Sequence, residues 1–275
     1  MKAIVTGAAR GIGAVIASGL MREGWRVACL DLRDEPGLAV AGAGDGLYLH
    51  CDVSDSAAVD AAFAQAVAWL GGLDLLVAAA GLDKPGFTPE EIPETAWDLV
   101  MGINAKGTFL TNQAAFRAMQ PGGGAIVNFG SLAGLRGTPE RAAYSAAKAA
   151  VAGWSRAAAQ AWGPHNVTVN VIAPTVRTEV GEKFLDSLGD EGRAAFEAER
   201  ARITPMGRLG DVERDLLPLL LLLAGPGGRY ITGQTLSVDG LRVVDASVFP
   251  GLVTANTTAP VFAVAWRAAD MILGA

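Results

Sequence analysis

With 275 residues, 51% of them hydrophobic and 35 of them glycine, the chain can bury one large core. Its even texture, with no Ser/Pro linker and no block of charge, points to one domain. A net charge of −6 makes nucleic acid and anionic membranes poor partners and leaves small molecules as the expected ligands. Cys29 and Cys51 lie in apolar strand-like runs and read as buried thiols, while the distant His50 and His165 give no zinc cluster. No signal peptide precedes the first strand-like run. The leucines from Leu216 to Leu223 are interrupted by Pro218 and fall short of the roughly 20 apolar residues of a membrane span, so a cytoplasmic protein is expected.

In chain order, AIVTG, RVACLD, LYLHCD, LDLLVAAAG, AIVNFGS, VTVNVIAP and QTLSVDG are short apolar runs separated by Ala-rich helical stretches. Runs without polar alternation suit strands covered on both faces, and their alternation with helices predicts βαβ units. An α/β fold with a doubly wound parallel sheet follows. Ligands of such sheets bind beyond the carboxyl ends of the strands, where each run stops.

The first run ends in Thr6, Gly7, Ala8, Ala9, Arg10, Gly11, Ile12 and Gly13. Gly7 permits a tight turn, Gly11 lets a pyrophosphate approach the backbone, and Gly13 lets helix and strand pack closely. The N–H groups at the start of the following helix, from Arg10 to Gly13, then face the phosphates. Eighteen residues after Gly13 the second run ends in Asp31, close to the spacing of an acid that holds the adenosine ribose. Its carboxylate would accept from both ribose hydroxyls and repel a 2′-phosphate, which favours NAD over NADP, although Arg10 and Arg33 could clamp such a phosphate. The third run ends at Asp52 and Val53, which suit the adenine edge; a helix cap near Ser54 or Asp55 accounts for those residue types equally well.

Tyr144 and Lys148 stand four residues apart in an Ala-rich helix and so leave it on one face. An ammonium beside a phenol favours the phenolate and is expected to lower the Tyr144 pKa from about 10, making it a proton donor or acceptor near neutral pH.

Taken together, TGAARGIG, Asn104 with Gly107 and Phe109, Ser131 thirteen residues before Tyr144, YSAAK, and YITGQTLSVDG resemble the short-chain dehydrogenase/reductase family over residues 1–240. The resemblance implies a Rossmann-type fold and NAD-dependent interconversion of a secondary alcohol and a ketone. Ser131 would polarise the substrate oxygen, Tyr144 would exchange the proton, and Lys148 would hold the nicotinamide ribose and tune Tyr144. Asn104 would hold a water on the proton path. By residue type alone Ser131 also reads as a helix cap and Asn104 as a turn residue. A regulatory protein that binds a dinucleotide without catalysis is the alternative reading, and the intact set of four residues speaks against it.

Two stretches depart from the family pattern. After the fourth strand it has Ala78, Ala79, Ala80 and Gly81 where Asn-Asn-Ala-Gly is usual, though the backbone at Ala80 and Gly81 can still pass close to the cofactor. After the sixth strand, Pro174 to Thr178 has Thr175 in place of the usual glycine and is one residue shorter. By resemblance this loop carries the contact to the nicotinamide amide.

Residues 179–205 are expected to form a lid, with Val180, Phe184 and Leu188 as the apolar stripe of a short helix. Arg136, Arg141 and Arg177 could welcome an anionic substrate at the mouth, but read better as solvated faces or subunit contacts. Small residues on the helices near 104–119 and 141–162 allow close packing, and by resemblance a homotetramer is expected. Residues 241–275 resemble instead the C-terminal segment of the glucose-methanol-choline flavin oxidoreductases, with Asn256 matching a residue near the chemistry there. A tail of this length cannot enclose a flavin, so it is expected to pack on the body or a neighbouring subunit through Val261, Phe262, Val264, Ala265 and Ile272.

Overall fold

The structure, a computed structural model, describes residues 1–120, 122–204 and 206–240. Seven strands form one parallel sheet in the order β3-β2-β1-β4-β5-β6-β7. They are β1 (Lys2–Thr6), β2 (Arg26–Asp31), β3 (Gly46–His50), β4 (Leu75–Ala78), β5 (Gly124–Phe129), β6 (Val167–Pro174) and β7 (Thr235–Val238). Each predicted apolar run is therefore a strand. The absence of polar alternation has its cause in burial: all of β4 and β5, and β6 as far as Ala173, is buried from both sides.

Helices cover both faces. On one side lie α1 (Gly11–Arg22), α2 (Asp34–Ala41) and α10 (Leu217–Ala224), the leucine run, and Leu217, Leu220 and Leu223 of α10 join Ile16 and Leu20 of α1 in one core. On the other lie α3 (Ser56–Leu70), α5 (Gly107–Met119) and α7 (Ala142–Trp162), packed around Phe63, Met119, Ile126 and Val169. Alanine at Ala114, Ala115, Ala158 and Ala159 lets these helices sit close to the sheet. Cys29 and Cys51 are buried free thiols, and burial pushes them up to about 12 and about 11. Among the described residues no helix is long and apolar enough to cross a membrane.

The chain runs from β1 to β2 on one side and later returns to β4 on the other, which opens a cleft beyond the carboxyl ends of β1 and β4. Helix α4 (Glu94–Met101) passes into α5 through one π-helical turn, Gly102–Lys106. Asp55 caps α3 by accepting from Ala57 N at 2.8 Å, while Asp52 closes the preceding turn by accepting from Ser54 N at 2.8 Å.

Helices α8 (Glu179–Ser187) and α9 (Gly189–Ile203) occupy the expected lid segment. The apolar stripe needs correction. The side chains of Val180 and Phe184 lie outside the described residues, whereas Leu188 follows the last turn of α8 and is exposed. The leucine that is buried is Leu185, which faces the cleft together with Gly181. The expectations for residues 241–275, Asn256 and the apolar tail contacts included, lie outside the described residues.

Candidate active site

One cleft of about 910 Å³ runs along the carboxyl edge of the sheet from Asp31 and Cys51 to Tyr144 and the lid. Gly7, Arg10, Gly11, Ile12, Gly13, Asp31, Asp52, Val53, Ala80, Gly81, Ser131, Tyr144, Lys148, Pro174 and Thr178 all line it. Asn104 does not. It is fully buried in the π turn, where its Nδ2 donates to Leu82 O at 2.7 Å and Val100 O at 2.9 Å, and its Oδ1 accepts from Leu82 N at 3.3 Å. Asn104 thus ties the segment after β4 to the end of α4 from behind the cleft.

The glycine turn has the form a dinucleotide needs. Gly7 and Gly11 have positive φ, 69° and 58°. A Cβ on Gly13 would overlap the Gly7 carbonyl, and one on Gly7 would come within 2.8 Å of Ala80 Cα. Only glycine lets the turn, the helix start and the end of β4 meet this closely. The turn is further tied to β4 by Ala80 N, which donates to Thr6 Oγ1 at 3.2 Å. At the end of β2, Asp31 is held by Ala9 N on Oδ2 and Arg33 N on Oδ1, both at 3.0 Å. Its oxygens keep further lone pairs for hydroxyl donors. Tyr48, which the sequence reading did not single out, supports this corner, its hydroxyl lying 2.9 Å from Asp31 O and 2.7 Å from Asp34 Oδ1.

At the other end Ser131 follows β5 and starts the short helix α6 (Leu132–Arg136), accepting from Ala133 N at 3.1 Å. It therefore caps a helix and lines the cleft, so its two readings are compatible. Lys148 is 5% exposed, and its Nζ donates to Phe129 O at 2.9 Å. Burial brings its pKa down to about 8, against an opposing pull from the Asp83 carboxylate. A Cβ on Gly81 would stand 2.9 Å from Asn104 Oδ1 and 3.6 Å from Lys148 Nζ, so these two side chains approach each other just beyond β4. Thr178 caps α8 by accepting from Gly181 N at 3.1 Å.

The expected effect of Lys148 on Tyr144 does not hold in this structure. Burial pushes the Tyr144 phenol above the usual tyrosine value; the Arg141 guanidinium and the Ser131 hydroxyl pull it down, and Asp83 pushes it up. Lys148 Nζ lies 5.5 Å from the Tyr144 ring centre and is engaged by the Phe129 carbonyl, whereas Arg141 lies at 4.8 Å. Arg136, Arg141 and Arg177 all line the cleft rather than standing on remote solvated faces. Arg141 pairs with Asp83, and Arg177 with Glu182 and Glu197 of the lid.

Comparison with known proteins agrees with this geometry. Residues 7–240 match the family model described as enoyl-(acyl carrier protein) reductase. The short-chain reductase protein NovJ of Streptomyces niveus is 37% identical over 87% of this chain and 93% of its own. The chain is a short-chain dehydrogenase/reductase. Another member, D-threitol dehydrogenase of Mycolicibacterium smegmatis, is 39% identical over 86% of this chain and 91% of its own. A solved structure assigned as a short-chain alcohol dehydrogenase of Sinorhizobium meliloti superposes with a TM-score of 0.79 at 34% identity, covering 87% of this dehydrogenase/reductase and 94% of that chain. Several relatives are dehydrogenases by name, which supports an alcohol or ketone oxidoreductase of this family. Residues 232–265 also match a model described as GMC oxidoreductase, overlapping the end of the first match.

Proposed function

We propose that this dehydrogenase/reductase interconverts a secondary alcohol and a ketone with NAD. The observation that carries the reading is that Ser131, Tyr144 and Lys148 line the same cleft as the glycine turn and Asp31. A nicotinamide bound here would supply hydride transfer to and from the carbon that bears the substrate oxygen. Gly7, Gly11 and Gly13 let the backbone approach the phosphates, and Arg10 and Ile12 border them. Asp31 would hold the adenosine ribose, Asp52 and Val53 would receive the adenine, and Ala80 and Gly81 would border the cofactor. Pro174 and Thr178 border the nicotinamide.

Ser131 directs its hydroxyl at the substrate oxygen. In oxidation Tyr144 takes the hydroxyl proton as hydride departs, and in reduction it returns that proton to the carbonyl oxygen. The Lys148 ammonium holds the nicotinamide ribose beside Tyr144. Asn104 keeps Leu82 and Val100 in register behind them, and a water held there would continue the proton path. Leu185 and Phe196 of the lid limit water on the substrate side.

Asp31 supports NAD over NADP because its carboxylate, fixed by two backbone N–H groups, opposes a 2′-phosphate. In separate fluorescence titrations NADH is expected to bind at least about tenfold more tightly than NADPH. Tighter NADPH binding would reverse the assignment. Polyols head the substrate screen because one relative is a D-threitol dehydrogenase. On the alcohol found, Tyr144→Phe is expected to bind NADH within about twofold of the parent while losing about 10²–10⁴-fold in kcat. Turnover that survives this change would remove Tyr144 from the chemistry. A homotetramer is part of the proposal, supported by the partly exposed aromatic rings Phe109, Phe116, Trp154 and Trp162 on α5 and α7.

A further inference from the structure

Two loops meet beside Tyr144. The first follows β4 and carries Asp83; the second runs from Gly137 into α7 and carries Arg141. Gly86 N donates to Glu140 O at 3.3 Å, and Phe87 pairs with Arg141 in an isolated parallel bridge, so the backbones are already fastened. Arg141 Nε then donates to Asp83 Oδ2 at 2.6 Å, and Nη2 reaches the same oxygen. Held this way, the Arg141 guanidinium lies 4.8 Å from the centre of the Tyr144 ring. The other carboxylate oxygen, Asp83 Oδ1, is buried and has no hydrogen-bond partner among the described residues. Asp83, Arg141 and Tyr144 all line the cleft.

We propose that Arg141 and Asp83 are positioning residues that set the protonation of Tyr144 in opposite directions, Arg141 favouring the phenolate and Asp83 anchoring Arg141 while partly cancelling its charge. A guanidinium at this distance from a phenol ring interacts more strongly once the oxygen is ionised. Asp83 cannot supply that attraction and, as an anion, opposes it. The directions of the shift on Tyr144 agree with this geometry.

The remaining groups around Tyr144 do not replace the pair. On its own helix Lys148 is turned to Phe129 O, and from the end of β5 Ser131 offers an uncharged hydroxyl. From α4, the segment before it and the π turn the neighbours are the apolar Ile92, Val100, Met101 and Ala105 side chains. Across the cleft Glu182 and Arg177 are paired with each other, and Arg136 stands exposed at the mouth. The functional meaning of the pair rests on Tyr144 as the proton-exchanging group; its electrostatic effect does not.

The test needs no substrate, because the chain has three tyrosines. Tyrosine labelled with ¹³C at Cζ gives one NMR resonance each for Tyr48, Tyr144 and Tyr230, assigned through single Tyr→Phe variants and titrated from neutral to alkaline pH. Arg141→Gln is expected to raise the Tyr144 midpoint by about one unit, or beyond the accessible range, and Asp83→Asn to lower it by up to about one unit. Arg141→Lys is expected to restore most of the lost effect, and Tyr230, fully exposed, to stay where it was. Circular dichroism verifies that each variant is folded over the range compared. An unmoved Tyr144 midpoint in folded Arg141→Gln would overturn the proposal. If that variant does not fold, the near-isosteric Asp83→Asn decides alone, and a midpoint that rises or stays put overturns it. An active Tyr144→Phe enzyme would sink the function reading while leaving this titration interpretable.

Discussion

Lys148 carries an ammonium into a site where its residue is only 5% exposed, and it donates a hydrogen bond to the Phe129 carbonyl. Burial lowers its pKa from 10.5 to about 8, so between those values the folded protein binds fewer protons than the unfolded chain. Stability therefore rises with pH across that window, and at pH 7 the charged amine opposes folding by on the order of 3 kcal/mol. Lys148→Met removes that penalty along with one hydrogen bond, and is expected to stabilise the cofactor-free protein by about 1–2 kcal/mol in urea unfolding at pH 7. The gain should shrink as pH rises from about 8 to 10.5, and NADH binding should weaken in the same variant. This residue's place was legible from YSAAK, but its electrostatic neighbours were not. Asp83 lies far from Arg141 and Tyr144 in the chain, in a loop with no motif, and only the contact between the two loops brings them together. The four-residue spacing on the helix suggested Lys148 as the cation acting on Tyr144, because spacing fixes which face a side chain leaves and not where its end is held.

Helix α7 owes its position to a buried polar cluster. Asn112 of α5 and Asn128 of β5 exchange amide hydrogen bonds at 2.8 Å in both directions. Asn128 Nδ2 also donates to Ser155 Oγ of α7 at 2.9 Å, and Trp154 Nε1 donates to Asn112 Oδ1 at 3.0 Å. Both asparagines are fully buried, and each amide finds partners for its nitrogen and oxygen. Asn112→Ala would strand Asn128 and the Trp154 indole together, and is expected to cost about 2–4 kcal/mol in urea unfolding. The double change with Asn128→Ala should cost less than the two single changes added, since neither amide is then left facing an empty partner. Nothing in the sequence marked these residues, because AIVNFGS reads as an apolar run with one polar position and its partner lies on a different element. The π turn was equally hidden: one extra residue in a helical turn leaves the Ala-rich pattern intact while turning Asn104 toward Leu82. In the lid, the four-residue stripe was sound as a helix signal, while Leu185 rather than Leu188 meets the cleft.

At the scale of the molecule the sheet was the most legible feature, since strands covered on both faces leave a continuous apolar record, with a Gly or Asp at most of their carboxyl ends. The strand order was not, because apolar runs do not say which neighbour they choose; the handed crossover and the packing of α1 and α10 on one face decide that. Assembly is the next level, and light scattering of the purified protein is expected to give a mass near four chains. Every rung of the sheet also carries a consequence for time. Lys2 pairs with Arg26, Ala3 with Leu75, Gly124 with Val167 and Val171 with Thr235, so no two strands are joined by a hairpin that could zip early. Each pairing must wait for a loop and a helix to close first, and the central pair must wait longest. Stopped-flow refolding is therefore expected to proceed on the order of seconds rather than milliseconds, with bare strand edges in the interim that make dilute chain the better starting point.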